Sequence, residues 1–230
     1  KLPPHFSYSV DLVGNELQKV LVVDPFLGNP EWLVEYCEKN KAELKDSGAM
    51  YPGVRMFAPP EYLAAISNFL KPIIVDVFDI NEQSVNTIFS AFSMVTTPPD
   101  QLKSEQVIPH FDSNNQNDLA SIYFLCAPGL GGTSLYRHAL TGYEYIDKTR
   151  LDSYMQSLRG SFHSGQIERA YINGSNKVFE CIATYPANFN RFIMYRCTSL
   201  HSGNIAPDFL FDPNPRTGRL TVNTFIGTQA

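Results

Sequence analysis

The sequence predicts a mostly β fold with flanking α, a double-stranded β-helix or jelly roll buttressed by N-terminal helices. Three observations lead there. Helical patterning with an apolar stripe is confined to the first third of the chain. From about residue 85 the apolar period changes to two. The later segments are short, strand-like and separated by Gly and Pro, which favours packed antiparallel sheets over an alternating βαβ sheet.

Residues 18–26 read as a strand running into a turn. Asn29-Pro30-Glu31 then supplies a cap, a first-turn proline and an acidic first turn for a helix expected to reach about residue 45. Trp32, Leu33, Tyr36 and Cys37 recur every three to four residues and form its core-facing stripe. A second helix starts at Pro59-Pro60-Glu61 with Leu63, Ile66, Phe69 and Leu70 on its buried side. Ile88, Ser90, Phe92 and Met94 then alternate with their neighbours until Thr97-Pro98-Pro99 ends the run. Further strands are expected at 105–112, 119–126, 133–137, 179–184, 191–198 and 219–225, interrupted by charged, weakly helical sequence at 143–172. No repeat or Gly/Ser linker marks a boundary, so a single domain over 1–230 is expected, with 1–84 as helical buttress and first strand and 85–230 as jelly-roll core.

Composition narrows the partners. Hydrophobic residues at 43% and aromatics at 13% of 230 residues describe a chain that buries a core. The 18 Lys and Arg against 23 Asp and Glu leave a net charge of −5, which argues against a nucleic-acid backbone as ligand. Apolar runs such as 21–23 and 122–127 fall far short of the roughly 18 residues of a membrane span, so no membrane partner is expected. The chain opens Lys-Leu-Pro-Pro-His without an apolar signal core, and Cys37, Cys126, Cys181 and Cys197 form no C-x-x-C pair. Reduced, buried thiols and a cytoplasmic location are the corresponding expectations.

The first feature with chemical meaning is His110-Phe111-Asp112. On a strand, residues i and i+2 face the same side, so an imidazole and a carboxylate converge while Phe111 points away. Alone the pair is a weak signal, because a surface histidine beside a solvated aspartate has the same spelling. The downstream sequence strengthens it. An apolar strand ends at Pro128-Gly129 and leads into Gly131-Gly132-Thr133-Ser134-Leu135-Tyr136. Tyr185-Pro186-Ala187-Asn188 precedes another strand, Leu200-His201 comes after it, and Gly218-Arg219-Leu220-Thr221-Val222-Asn223 opens the last. The glycine turn lacks the Gly-Lys of a phosphate loop, and no G-x-S-x-G elbow is present. His5, His138 and His163 have no carboxylate at a ligand-like offset and read as structural or surface residues.

This order resembles the catalytic core of the iron(II)- and 2-oxoglutarate-dependent oxygenases, in particular the prolyl 4-hydroxylase-like branch and within it an uncharacterised bacterial group without an assigned substrate. The resemblance runs over 89–225, with weaker similarity at Val22-Val23-Asp24-Pro25-Phe26-Leu27. It implies that His110, Asp112 and His201 are the catalytic triad that holds Fe(II), two imidazoles and a carboxylate leaving one face of the ion open. It implies further that Arg219 pairs with the distal carboxylate of 2-oxoglutarate, with Thr221 and Asn223 on the same side of the strand and Thr221 placed to add a hydrogen bond. Two departures stand out. His201 and Arg219 lie 18 positions apart, longer than in that branch, which leaves Arg216 as a rival for the dicarboxylate. The tyrosine usual upstream of the H-x-D pair has no counterpart between Phe92 and Val107, so Tyr123, Tyr136 or Tyr195 takes its place.

The implied activity is a dioxygenase using Fe(II), 2-oxoglutarate and O₂ to hydroxylate a small-molecule or peptide substrate. The alternative is a cupin-like metal-binding jelly-roll protein, non-catalytic or differently catalytic. Residues 143–172 and 207–217 interrupt the core and are expected to line the substrate pocket. The pattern does not specify an oligomeric state.

Overall fold

The computed structural model describes residues 3, 5–48, 50–82 and 85–228. Two antiparallel sheets organise it. The larger runs β1 (Tyr8–Val13), β2 (Gln18–Val23), β9 (Phe192–Arg196), β6 (Leu119–Phe124), β11 (Leu220–Thr228), β5 (Val85–Val95), β4 (Gly53–Phe57) and β3 (Lys45–Asp46). The smaller runs β10 (His201–Asn204), β7 (Gly132–His138) and β8 (Phe179–Pro186). This is the expected jelly roll, open rather than closed into a barrel.

Side-chain alternation divides the core into layers. One face of the larger sheet, with Phe92, Met94, Tyr123, Phe192 and Val222, packs on helices α1 (Glu31–Lys39), α2 (Pro60–Ala65) and α3 (Lys71–Phe78). Its other face meets the smaller sheet through Ile122, Phe124, Ile193 and Tyr195 against Leu135 and Tyr185. The smaller sheet is covered on its far side by α4 (Leu151–His163), where Tyr154 and Leu158 join one cluster with Tyr136 and Phe179. Among the described residues, no helix is long and apolar enough to cross a membrane.

The elements depart from the sequence reading at identifiable places. Helix α1 ends at Lys39, short of residue 45, because the Asn40 amide donates to the Tyr36 carbonyl at 2.9 Å and caps the helix end. The second helix continues beyond Leu70 as α3, through a π turn at Ile66–Leu70. Pro72 has no N–H and its ring crowds the carbonyl four residues back, which the wider turn relieves. Tyr62, Ile66, Leu70 and Ile74 form the buried stripe at spacings of four, while Leu63 and Phe69 are half-buried. The Ile88 side chain lies outside the described residues.

Strands β1 and β4 were not anticipated. β1 is an edge strand with exposed residues on both faces, so it lacks the alternation that betrays a strand. Conversely, the strand expected at 105–112 is absent. A 3₁₀ turn occupies Ser104–Gln106, and only a single bridge, His110 to His201, joins the segment to a sheet. Pro109 can donate no ladder bond, and beyond Asp112 the Ser113 hydroxyl and Asn115 amide turn to the Asp118 carboxylate at 2.7 and 2.9 Å.

Candidate metal centre

Two reciprocal backbone hydrogen bonds, each 2.9 Å, tie His110 to His201 across 91 residues of sequence. Asp112 is fixed separately, its N–H donating to the Cys197 carbonyl at 2.8 Å. The imidazole and carboxylate of the H-x-D pair therefore converge through a bridge and a loop rather than along a regular strand. One ligand atom from each of His110, Asp112 and His201 lies within 4.8 Å of the others. His110 Nε2 is 3.6 Å from one Asp112 oxygen and His201 Nε2 is 3.4 Å from the other.

The ring tautomer of His201 follows from its surroundings. Its Nδ1 lies 2.9 Å from the Ser199 carbonyl, which can only accept, so Nδ1 carries the proton. In the neutral ring Nε2 is then a lone pair facing a carboxylate oxygen, a repulsive contact until a cation comes between them. Burial holds the His110 imidazole down at about 4, with the neighbouring His201 adding to the effect. A neutral imidazole is what a metal ligand requires. The donor set thus fits one divalent ion, and two imidazoles with one carboxylate suit iron(II). Tyr195 packs against His201 with ring centroids 4.7 Å apart and planes tilted by 55°, and burial pushes its phenol well above the ordinary range, which keeps it a neutral wall.

The triad opens on a cavity of about 290 Å³ that Arg219, Thr221 and Asn223 also line. These three share a face because β11 alternates, with Leu220 and Val222 turned to the helices. Arg219 is 3% exposed, its Nη2 donates to the Gly132 carbonyl at 2.7 Å, and its Nε is buried without a hydrogen-bond partner. A buried, incompletely satisfied guanidinium is costly unless an anion completes it. The glycine turn serves this arginine. Gly131 sits at φ +82°, where a Cβ would come 2.0 Å from the Asn204 carbonyl oxygen, and Gly132 presents the accepting carbonyl.

Other sequence expectations are corrected. Arg216 lies at the surface, paired with Glu38 at 2.7 Å, and is no rival for an anion in the cavity. Tyr123 is on the helix-facing side of β6, stacked on Tyr62 with its hydroxyl donating to Asn190 at 2.7 Å. Tyr136 faces α4 on the outer side of the smaller sheet. Strand parity turns both away from the cavity, and of the three tyrosines weighed only Tyr195 lines it. The segment 143–172 contributes Tyr171 to the lining, whereas 207–217 stands behind it, with Phe209 and Phe211 packed against Tyr171 and Tyr51.

Among the lining residues that the sequence reading missed, Tyr51 and Arg55 carry the most chemistry. The Tyr51 hydroxyl is buried beside Thr221 without a hydrogen-bond partner. Arg55 Nε donates to Ser93 Oγ at 3.0 Å, and the guanidinium lies 4.2 Å above the Tyr51 ring. Burial lowers its pKa, opposed by the charges of Tyr51 and Asp112. The signal was present: an arginine among apolar residues between Pro52-Gly53 and Pro59-Pro60 spells a short strand with one polar side chain turned inward.

Residues 4–226 match the model of a family of unknown function, DUF6445. The chain belongs to that family. No curated protein matches it. Among solved structures, a prolyl-4-hydroxylase from Pseudomonas putida aligns with a TM-score of 0.51 over 93% of this chain and 94% of that one, at 12% identity. EvdO2 from Micromonospora carbonacea var. aurantiaca aligns at 0.48 over 93% and 88%, with 10% identity. HygX from Streptomyces hygroscopicus, solved with nickel, 2-oxoglutarate and hygromycin B bound, aligns at 0.46 over 92% and 83%, with 10% identity. The likeness to the Pseudomonas enzyme shows that this chain has the jelly-roll fold of the iron(II)/2-oxoglutarate oxygenases.

Proposed function

We propose that the protein is a non-haem iron(II)- and 2-oxoglutarate-dependent dioxygenase that hydroxylates a small molecule or peptide. One observation carries this reading: the cavity that receives two imidazoles and a carboxylate also receives a buried guanidinium without an anion partner. A structural ion-pair cluster would need no such second cation.

Iron(II), 2-oxoglutarate and O₂ together supply the oxidising power for an unactivated C–H bond. The chain's own residues hold and orient. His110, Asp112 and His201 would hold the ion through two imidazole nitrogens and one carboxylate, on the wall of the cavity where a co-substrate could reach it. The Ser199 carbonyl keeps the His201 proton on Nδ1 and so presents Nε2 to the metal. Arg219, anchored on the Gly132 carbonyl, would take the far carboxylate of the dicarboxylate, for which its planar fork is suited. Tyr51 lies near Arg219 as a further hydroxyl donor, whereas the Thr221 hydroxyl is directed to the Ser93 carbonyl at 3.2 Å and Asn223 Oδ1 at 2.9 Å. Ile122, Tyr195 and Phe225 supply apolar wall that limits water at the reacting centre.

The test is an anaerobic titration of the metal-free protein with Fe(II) and then 2-oxoglutarate, monitoring the visible metal-to-ligand charge-transfer band. A band that needs both additions and vanishes in His201→Ala and Arg219→Ala supports the assignment. Stoichiometric metal without a band favours a metal-binding jelly roll that does not use 2-oxoglutarate, and no metal binding removes the centre.

A further inference from the structure

Resting on that reading, we propose that Arg55 is the substrate-recognition cation of the cavity: the primary substrate is an organic acid whose carboxylate pairs with Arg55 and whose apolar body lies on Phe57, Phe89 and Phe225.

Charge is the first argument. Iron(II) and Arg219 bring three positive charges to the loaded site, and Asp112 with 2-oxoglutarate brings three negative ones. Arg55 is then left as a cation facing a neutral centre. Among the described residues no ion pair includes it, and its one side-chain hydrogen bond goes to a neutral hydroxyl, Ser93. Glu105 lines the same cavity but is exposed and makes no ion pair with it. Arg55 is electrostatically coupled to both Asp112 and His110, which places it on the triad's side of the cavity. A half-buried guanidinium that lines the triad's cavity from a paired strand, without an ion-pair partner among the described residues, is suited to a carboxylate that arrives with the substrate.

Register supplies the second argument. Arg55 pairs with Ser93 and Ser93 with Thr221, so these three stand in one row across β4, β5 and β11 on the cavity face. Further along the same face come Phe57, two residues after Arg55, and Phe225 opposite Phe89. Phe57 and Phe89 meet edge to face at 5.6 Å, and Phe89 lies 6.2 Å from Phe225. Phe225 lines the cavity, Phe89 is 39% exposed and Phe57 is 74% exposed. The three rings thus form an apolar ledge that runs from Phe225 in the cavity through Phe89 to Phe57 at the solvent end, and Arg55, itself lining the cavity, stands one row from Phe57. An acid with a flat or chain-like apolar body satisfies both features at once.

The experiment uses full-length protein with Fe(II) and saturating 2-oxoglutarate under anaerobic conditions. Phenylacetate, 3-phenylpropanoate and 4-phenylbutanoate are each titrated against the corresponding primary amide. Binding is read by calorimetry and by perturbation of the charge-transfer band. At least one acid should bind about tenfold or more tighter than its amide, as a charge-assisted pair demands. Arg55→Gln should erase that preference, Arg55→Lys should keep part of it, and Phe89→Ala should weaken acid and amide alike. Equal binding of acids and amides, no binding of any acid, or a preference retained in Arg55→Gln overturns the proposal. Loss of the band in Arg55→Gln overturns it too, since Arg55 would then serve 2-oxoglutarate. Absence of the band in the wild type instead removes the oxygenase reading on which the proposal rests.

Discussion

Replacing Arg219 by alanine removes a guanidinium that is 3% exposed and committed to the protein by a single hydrogen bond, Nη2 to the Gly132 carbonyl at 2.7 Å. Of the five N–H donors of an arginine, those not used there remain for an anion, and Nε has no partner at all. A carboxylate held by two charge-assisted bonds gains about 1.5–3 kcal/mol from each. The lower bound for the pair, about 3 kcal/mol, is a little over two decades of affinity. The dissociation constant for 2-oxoglutarate should therefore rise at least about 100-fold in Arg219→Ala, while Fe(II) stoichiometry stays the same because no triad atom is touched. Arg219→Lys keeps the charge and loses the planar fork, and about a tenfold rise is expected. The assay is the amplitude of the charge-transfer band against 2-oxoglutarate concentration at saturating Fe(II), with a thermal melt of each variant to show that it folds. A folded alanine variant whose dissociation constant stays within about threefold of wild type would refute the assignment of Arg219 to the dicarboxylate.

Asp112→Asn removes the one anionic ligand, and ferrous iron retained through anaerobic gel filtration should fall to background; iron at wild-type stoichiometry would sink the triad. Gly131→Ala forces a Cβ to within 2.0 Å of the Asn204 carbonyl oxygen at φ +82°. A cost of about 1–3 kcal/mol is expected, seen as a fall in Tm of roughly 2–10 °C, together with weaker 2-oxoglutarate binding as the Gly132 carbonyl shifts under Arg219. A melt and a band titration both matching wild type would show that the turn does not support the arginine. His138 is fully buried between Tyr154 and Phe179, and burial lowers its pKa below the ordinary value. The unfolded chain then binds more protons below about pH 6.5, so stability should decline as pH falls through that value, with a limiting slope of about 1.4 kcal/mol per pH unit for one proton. Denaturant unfolding from about pH 7.5 to about pH 5.5 should show a shallower decline in His138→Gln, and parallel curves would clear His138 of the effect.

The layered jelly roll was legible from the chain alone because the longer strands such as β5 write an apolar face as a period of two, and the helices with an apolar stripe write theirs as three to four. Phe92, Met94 and Val222, or Leu33 and Cys37, announce their burial in this way. The residue types of the centre were legible too. His110, Asp112 and His201 carry the right donors in a recognisable order, and the parity of β11 puts Arg219 with Thr221 and Asn223 whatever the sheet faces.

Parity alone, however, does not say which side of a strand is inside. Tyr123 and Tyr136 sit on genuine strands and turn away from the cavity, one under the helices and one under α4, because the choice of face is made by what packs on each sheet. The bridge between His110 and His201 joins residues that share no local pattern, and it replaces a strand that Pro109 and the polar turn after Asp112 forbid. Likewise Arg55 shows in the sequence only as one polar residue in a short apolar strand, and nothing local ties it or Tyr51 to the triad. They enter the site because β4 pairs with β5, and so sets Arg55 level with Ser93 and Thr221, a neighbourhood that long-range strand pairing creates and local sequence cannot encode.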